Sequence, residues 1–358
     1  MPATSVGTIS QAREASKHAV HVGFVPLIDA APLIVARELG YFSDEGLDVC
    51  LDPQIGWGNV RDRLTYGQLH ASHAPLGMVP ASLTGQSFYD EPLGILICLG
   101  AGGNAITVSR SLAALGNGPG MAAKWRRQLD RPLSLAYVFS FASHHFFLRE
   151  LLQAAGLHAQ RDAMLSVLPP TQMAGLLESG VIDGYCVGEP YNTLAVMRGC
   201  GEIVKATTEF VPDHPEKVLA VTRKWHRQNP IAAERLVRAT IRGCDFCDNP
   251  ANGSRLTEIL ARPEYLNLNE EVIARSLSID SWLRPIARRP RFRTWARGTT
   301  EPRASAVEWV LRQMIRWGNL SPDTNYVAIA EQSLIPEPYQ NAVSAMSRPA
   351  KRTTAILN

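Results

Sequence analysis

Apolar runs of about five residues alternate along this chain with stretches whose apolar positions recur at helical spacing. His21–Val25, Leu47–Leu51, Ala71–Ala74 and Gly94–Leu99 read as strands. Between them, Pro32–Leu39, Asn59–Tyr66 and Met78–Leu83 read as helices, the first two closed by Gly40 and Gly67. A loose stretch, Asn117-Gly118-Pro119-Gly120, precedes a second series. Its strands are Leu133–Val138, Met164–Leu168 and Val181–Val187, and its helices start at Ser143, a candidate N-cap, and at Thr171. Strands alternating with short helices predict parallel sheets, hence an α/β chain of two lobes. Beyond about residue 225 the pattern turns helical: Ile231–Cys247, Arg255–Ala261, Glu270–Ser276 and Ala304–Trp317. The expected layout is a first lobe begun over 20–115, a second lobe over 120–222, a mainly helical return to the first over 223–340, and a mobile tail over 344–358.

A length of 358 residues suits two lobes better than one small core. With 46% hydrophobic residues, 19% charged residues and a net charge of +3, the chain lacks the concentrated basic character of a nucleic-acid binder, and no direct DNA contact is expected. Cys98 and Cys186 lie in apolar runs, where a thiol acts as a small buried hydrophobe. Cys244 and Cys247 have the spacing of half a zinc site without a matching second pair, so neither metal nor other cofactor is expected. Residues Met1 to Val20 hold no apolar core of the kind an export signal needs and no twin arginine, and no run of about 18 apolar residues occurs. The expectation is a cytoplasmic protein with no membrane contact.

Five separated stretches are rich in hydrogen-bond donors and mostly follow strands, where open α/β sheets bind ligands. They contain Trp57 between Gly56 and Gly58, Gly103 with Asn104, Ser143 with His144 and His145, the run Cys186 to Asn192, and Asp213-His214-Pro215-Glu216-Lys217. Trp57 offers a donor-only indole N–H; its other reading is a core residue. The Gly103 N–H and the Asn104 amide can face a cleft, or Asn104 can simply form a turn. His144 falls in the first turn of its helix, where free N–H groups favour an anion, whereas His145 is assigned to packing or solvent. Lys217 would offset the burial of an anion, its other reading being a surface lysine after a helix-breaking His214-Pro215.

Two carboxylates need different roles, since either would repel an anion. Glu189 is expected to pair with Lys217 or to orient His144, and Asp29 to cap the helix that follows it. The expected pocket therefore presents only proton donors and positive charge. The basic run Arg284, Arg288, Arg289, Arg291, Arg293 and Arg297 reads as a solvated face, with an acidic surface or RNA as the alternative. No catalytic residue is assigned, because the chain lacks a G-x-S-x-G elbow, a P-loop and an H-E-x-x-H motif.

The segment Gly23-Phe24-Val25-Pro26-Leu27-Ile28-Asp29-Ala30-Ala31-Pro32 resembles the opening of the nitrate/bicarbonate-binding proteins of ABC transporters. So do Gly40-Tyr41-Phe42, Glu45-Gly46-Leu47, Trp57, the CVGEPYN run, the DHPEK run and Arg316-Trp317-Gly318. The likeness covers about residues 20 to 335. It implies the two-lobed type II periplasmic-binding-protein fold, with ligand contacts at Trp57, His144 and Lys217. At Asn104 the transporter proteins carry Gln, one methylene longer. Bicarbonate-binding relatives have an acidic residue near the place of Lys217 together with calcium, so the lysine favours nitrate or nitrite. Without an export signal, the chain is similar to the cytoplasmic NasS-type sensors. These hold an ANTAR-type RNA-binding antiterminator (NasT-like) and release it when the anion binds, which switches on nitrate assimilation. The alternative is the substrate-binding component of a nitrate or bicarbonate transporter. Pyrimidine synthases of the same fold use a cysteine-rich motif that this chain lacks.

Overall fold

A computed structural model describes residues 19–86, 91–116, 118, 120–283 and 291–347. Its strands are β1 Val20–Phe24, β2 Val49–Pro53, β3 Ala71–Pro75, β4 Leu93–Cys98, β5 Ala101–Gly102, β6 Asn104–Ser109, β7 Leu133–Tyr137, β8 Ala163–Val167, β9 Gly184–Gly188, β10 Gly201–Ala206, β11 Lys217–Thr222 and β12 Arg293–Thr294. One sheet has the order β2-β1-β3-β11-β4, a second β10-β6-β9-β7-β8, and β12 pairs with β5 as a two-stranded ribbon. Helices cover both sheets. The fully apolar reading of β4 fits that burial, since every residue of Leu93–Cys98 is inside.

The sheets are mixed rather than parallel as expected. β1 runs parallel to β2 and β3, but β11 is antiparallel to β3 and β4. Likewise β7 runs parallel to β8 and β9, while β6 is antiparallel to β9 and β10. The cause is the crossing. The chain leaves the carboxyl edge of one sheet and enters the other from the cleft, so the entering strand starts where its neighbours end.

That crossing also moves the expected lobe boundaries. β6 lies in the second sheet although it precedes residue 115, and β11 lies in the first although it precedes residue 223. Of the later helices, Pro230–Asp248 packs on Ala31–Glu38, and Glu270–Leu277 joins the same side through Gly253–Ala261, with Ile273 in the core of Phe24 and Ile34, while also touching the helix Tyr191–Met197 of the second. Val307, Val310, Leu311 and Met314 of the helix Ala304–Arg316 share one core with Ala74 of β3 and Ala136 of β7. Ser344 sits in the helix Glu337–Met346 and so is not part of the expected mobile tail, and residues 348–358 lie outside the described residues.

Cys98, Cys186, Cys244 and Cys247 are buried, the last two in the apolar core around the helix Pro230–Asp248. No helix among the described residues is long and apolar enough to cross a membrane.

Candidate functional site

The strand directions decide what reaches the cleft. β1, β2, β7 and β9 end there and deliver Asp29, Trp57, His144 and Glu189 in the segments that follow, while β6 and β11 begin there with Asn104 and Lys217. Lys217 is 1% exposed, which removes its surface reading. Its Nζ lies 2.6 Å from Glu216 Oε1 and 2.9 Å from Asp29 Oδ2. Burial alone would lower its proton affinity, but the two carboxylates reverse the sign and hold it above the usual lysine value. The ammonium in turn keeps both acids ionised: Glu216 is drawn down to about 2 against its own burial, and Asp29 falls well below the carboxylate range.

The expectation of a pocket with only donors and positive charge is therefore overturned. Asp29 makes no capping hydrogen bond at its helix; it pairs with Lys217 and stands 2.9 Å from His73 Nε2. The Val25 amide donates to His73 Nδ1 at 3.5 Å, which leaves the ring proton on Nε2, toward Asp29. Ser143 is not an N-cap. It is the first residue of the helix Ser143–Ala154, Ala142 holds the cap position, and the Ser143 hydroxyl donates to Glu216. Glu216 also has His144 Nδ1 and His214 Nδ1 at 3.6 Å, on different oxygens.

Around this chain of charges stand buried polar groups with no hydrogen-bond partner among the described residues: Trp57 Nε1, both ring nitrogens of His144, and both amide atoms of Asn104. Trp57 opens the helix Trp57–Thr65, packs edge-on against His73 with ring centres 4.9 Å apart, and lies 5.7 Å from Lys217 Nζ. His144 is wholly buried, and burial lowers its pKa to about 4, so the ring is neutral at pH 7. Asn104 is wholly buried too, and its place as the first residue of β6, paired with Gly188, excludes the turn reading. A Cβ on Gly188 would sit 3.2 Å from Asn104 Oδ1 and 3.4 Å from Asp29 Oδ2, so glycine lets these two polar ends share one corner.

Gly103 departs from expectation. Its N–H donates to the Phe292 carbonyl at 2.7 Å and is not available to a ligand. Glu189 departs as well. Its carboxylate accepts from the Thr193 amide at 3.2 Å and the Ser276 hydroxyl at 3.1 Å, and pairs with neither Lys217 nor His144. Burial raises its pKa, with the Arg293 guanidinium among the groups opposing the rise. His145 is packing as expected, stacked on Tyr137 at 4.4 Å with Nδ1 against the Ser140 carbonyl.

The basic run is not one solvated face. Arg293 is 7% exposed and stacks on Trp295 at 4.9 Å, and Arg291 pairs with Asp248 at 3.2 Å. Arg284, Arg288 and Arg289 lie outside the described residues, as does the side chain of Arg297. Segment 292–294 straps the crossing between sheets: β12 pairs with β5 and the Phe292 carbonyl holds Gly103. A cavity of about 10 Å³ lies between Asp29, Gly102, Glu216, Lys217, Arg293 and Trp295, room for about one water.

Sequence reasoning missed His73 and assigned no role to His214 and Glu216, although both lie in the Asp213–Lys217 stretch. His73 is a lone titratable residue inside the strand Ala-Ser-His-Ala-Pro, all five positions buried, and that anomaly was a usable signal. Glu216 was hidden by proximity, since only its neighbour Lys217 drew attention.

The family model for NMT1-like proteins matches residues 13–261. The chain belongs to the NMT1-like family. It is 31% identical over 347 residues to the nitrate/nitrite binding protein NrtA of Synechococcus elongatus, covering 92% of this chain and 78% of that protein. It is 33% identical over 317 residues to the bicarbonate transport ATP-binding protein CmpC of the same species, covering 87% of this chain but 47% of CmpC; the chain spans about half the length of that relative. The crystal structure of the periplasmic nitrate-binding protein NrtA from Synechocystis superposes with a TM-score of 0.86 at 27% identity, covering 93% of this chain and 90% of that one. The fold of this NMT1-like chain is that of the periplasmic binding proteins, as expected.

Proposed function

We propose that this protein binds nitrate or nitrite between its two sheets, without catalysis, and acts in the cytoplasm as a sensor whose closure on the anion releases an ANTAR-type RNA-binding antiterminator. The supporting observation is the convergence of Trp57 Nε1, His144 and the Asn104 amide, all buried and unpartnered, around Lys217. Buried polar groups are nearly always satisfied, so a cluster of such groups in a cleft marks a place for a ligand that accepts hydrogen bonds. The relatives named for nitrate support the choice of anion. Two sheets facing one cleft are an arrangement that could open and close around a ligand, a change that a partner could read. Co-purification of the antiterminator with the chain, with and without nitrate, tests the switch; retention unchanged by nitrate defeats it.

A second reading, the substrate-binding part of an ABC transporter for nitrate or bicarbonate, is favoured by the names of the relatives. Two acceptors, Asp29 and Glu216, stand beside Lys217, so a donor-only pocket no longer separates nitrate from bicarbonate. Titrating nitrate, nitrite, bicarbonate and chloride into one sample distinguishes the anions, and fractionation of the native protein distinguishes sensor from transporter.

A further inference from the structure

We infer that the anion enters this site together with a proton, which His144 takes up; the inference rests on the nitrate or nitrite reading above. Three buried carboxylates, Asp29, Glu216 and Glu189, and two buried cations, Lys217 and Arg293, sum to one negative charge (−3 + 2 = −1). Adding nitrate to that sum would bury a second negative charge without compensation, which is costly. One proton on a nearby base restores the balance and turns a neutral donor into a charge-assisted one.

Three buried imidazoles stand within reach, and their surroundings differ. His73 already has Asp29 at one nitrogen and the Val25 amide at the other. His214 Nε2 is 2.7 Å from the Thr207 hydroxyl, and its Nδ1 faces the Pro215 carbonyl at 3.4 Å. His144 alone of the three has no hydrogen bond at either ring nitrogen among the described residues, its Nδ1 facing Glu216 Oε1 at 3.6 Å. The titratable and charged groups facing it are Glu216, Lys217 and His214 from the segment entering β11, and Asp29 from the loop after β1. With the site empty, burial holds the ring neutral at pH 7, its pKa being about 4. An anion beside the ring raises its proton affinity, so binding takes up a proton. Affinity is then greatest in acid and falls as pH rises from the free-state pKa toward the higher value in the complex. The limiting slope is about tenfold per pH unit for one linked proton.

Calorimetry of the full chain with sodium nitrate at pH 6, 7 and 8, each in two buffers of different ionisation heat, tests this. We expect proton uptake approaching one per nitrate at pH 6 and an affinity that drops at least threefold by pH 8. His144→Gln should abolish the uptake and flatten the pH profile. Glu216→Gln, which removes one negative charge, should bind nitrate more tightly than wild type at pH 8 with less uptake. Nitrate binding that is independent of pH and takes up no proton overturns the inference and leaves the nitrate reading intact, as does wild-type uptake in His144→Gln. No binding of nitrate or nitrite at any pH overturns both.

Discussion

Lys217 and Asn104 hold the same place in two different sheets. Each is the first residue of the strand that runs against its neighbours, β11 in one sheet and β6 in the other. An opposed strand begins at the edge where the parallel strands finish. Residues 113 positions apart thus open onto one cleft (217 − 104 = 113), and the two crossings between sheets run beside the site they serve.

Lys217→Ala and Trp57→Ala are each expected to weaken nitrate binding tenfold or more, about 1.4 kcal/mol. The two losses differ in kind. Removing Lys217 leaves Asp29 and Glu216 buried without their cation, so that variant should also lose about 3 kcal/mol of folding stability. Trp57→Phe keeps most of the packing and deletes only the N–H, so its affinity should fall with little change in melting temperature. Calorimetry paired with thermal melts separates the cases, and wild-type affinity in Trp57→Phe removes the indole from the site.

The same groups predict sensitivity to acid. His144 is neutral inside with a pKa of about 4, against about 6.5 in an unfolded chain, so the unfolded state binds more protons between those values. Glu216 is ionised inside with a pKa of about 2, below its ordinary 4.5. For both, the folded state is favoured at higher pH. Stability should begin to fall below about pH 6.5 as unfolded histidines protonate, and fall further from about 4.5 to 2 as the carboxylates do. The Glu216 share is on the order of 3 kcal/mol. Urea titrations at pH 7, 5.5 and 4 read the slope; a flat profile contradicts the buried charge chain.

Much of the first lobe was legible because its strands are short apolar runs closed by glycine or proline. β6 and β11 were not, because each begins with a polar residue that faces the cleft and reads as loop. His144 and Trp57 could be placed at the cleft from their local settings, a helix start and a glycine-flanked turn, which are visible in sequence. Glu216 meets Ser143, 73 positions away, and His73 meets Asp29, 44 positions away (73 − 29 = 44), and spacing cannot show that.

The strap over the crossing should be brittle. Gly102 has φ of 68°, and a Cβ there would lie 2.4 Å from the Phe292 carbonyl oxygen, which is backbone and cannot swing aside. Gly102→Ala should therefore break the β5–β12 pairing and lower stability by about 2 kcal/mol. Arg293→Met should lower it by about 3 kcal/mol, since Glu189 would be left buried without the guanidinium that opposes its pKa rise. Denaturant melts of both variants measure these losses, and wild-type midpoints would show that the strap carries no stability.

Tyr191 bonds across the cleft. Its hydroxyl donates to the Pro26 carbonyl at 2.9 Å, and the Ile28 amide donates to the Glu189 carbonyl at 2.8 Å, so both bonds tie the loop after β1 to the turn after β9. Neither Tyr191 nor Pro26 belongs to the cluster around Lys217, so removing the hydroxyl leaves the anion contacts in place. Tyr191→Phe deletes one bond between the two sides of the cleft, worth about 1 kcal/mol. If this bond forms only once the anion has entered, affinity should drop about fivefold and the loss should appear as faster dissociation. Stopped-flow measurement on the variant checks both numbers. Unchanged dissociation would mean that this bond does not differ between the bound and free states.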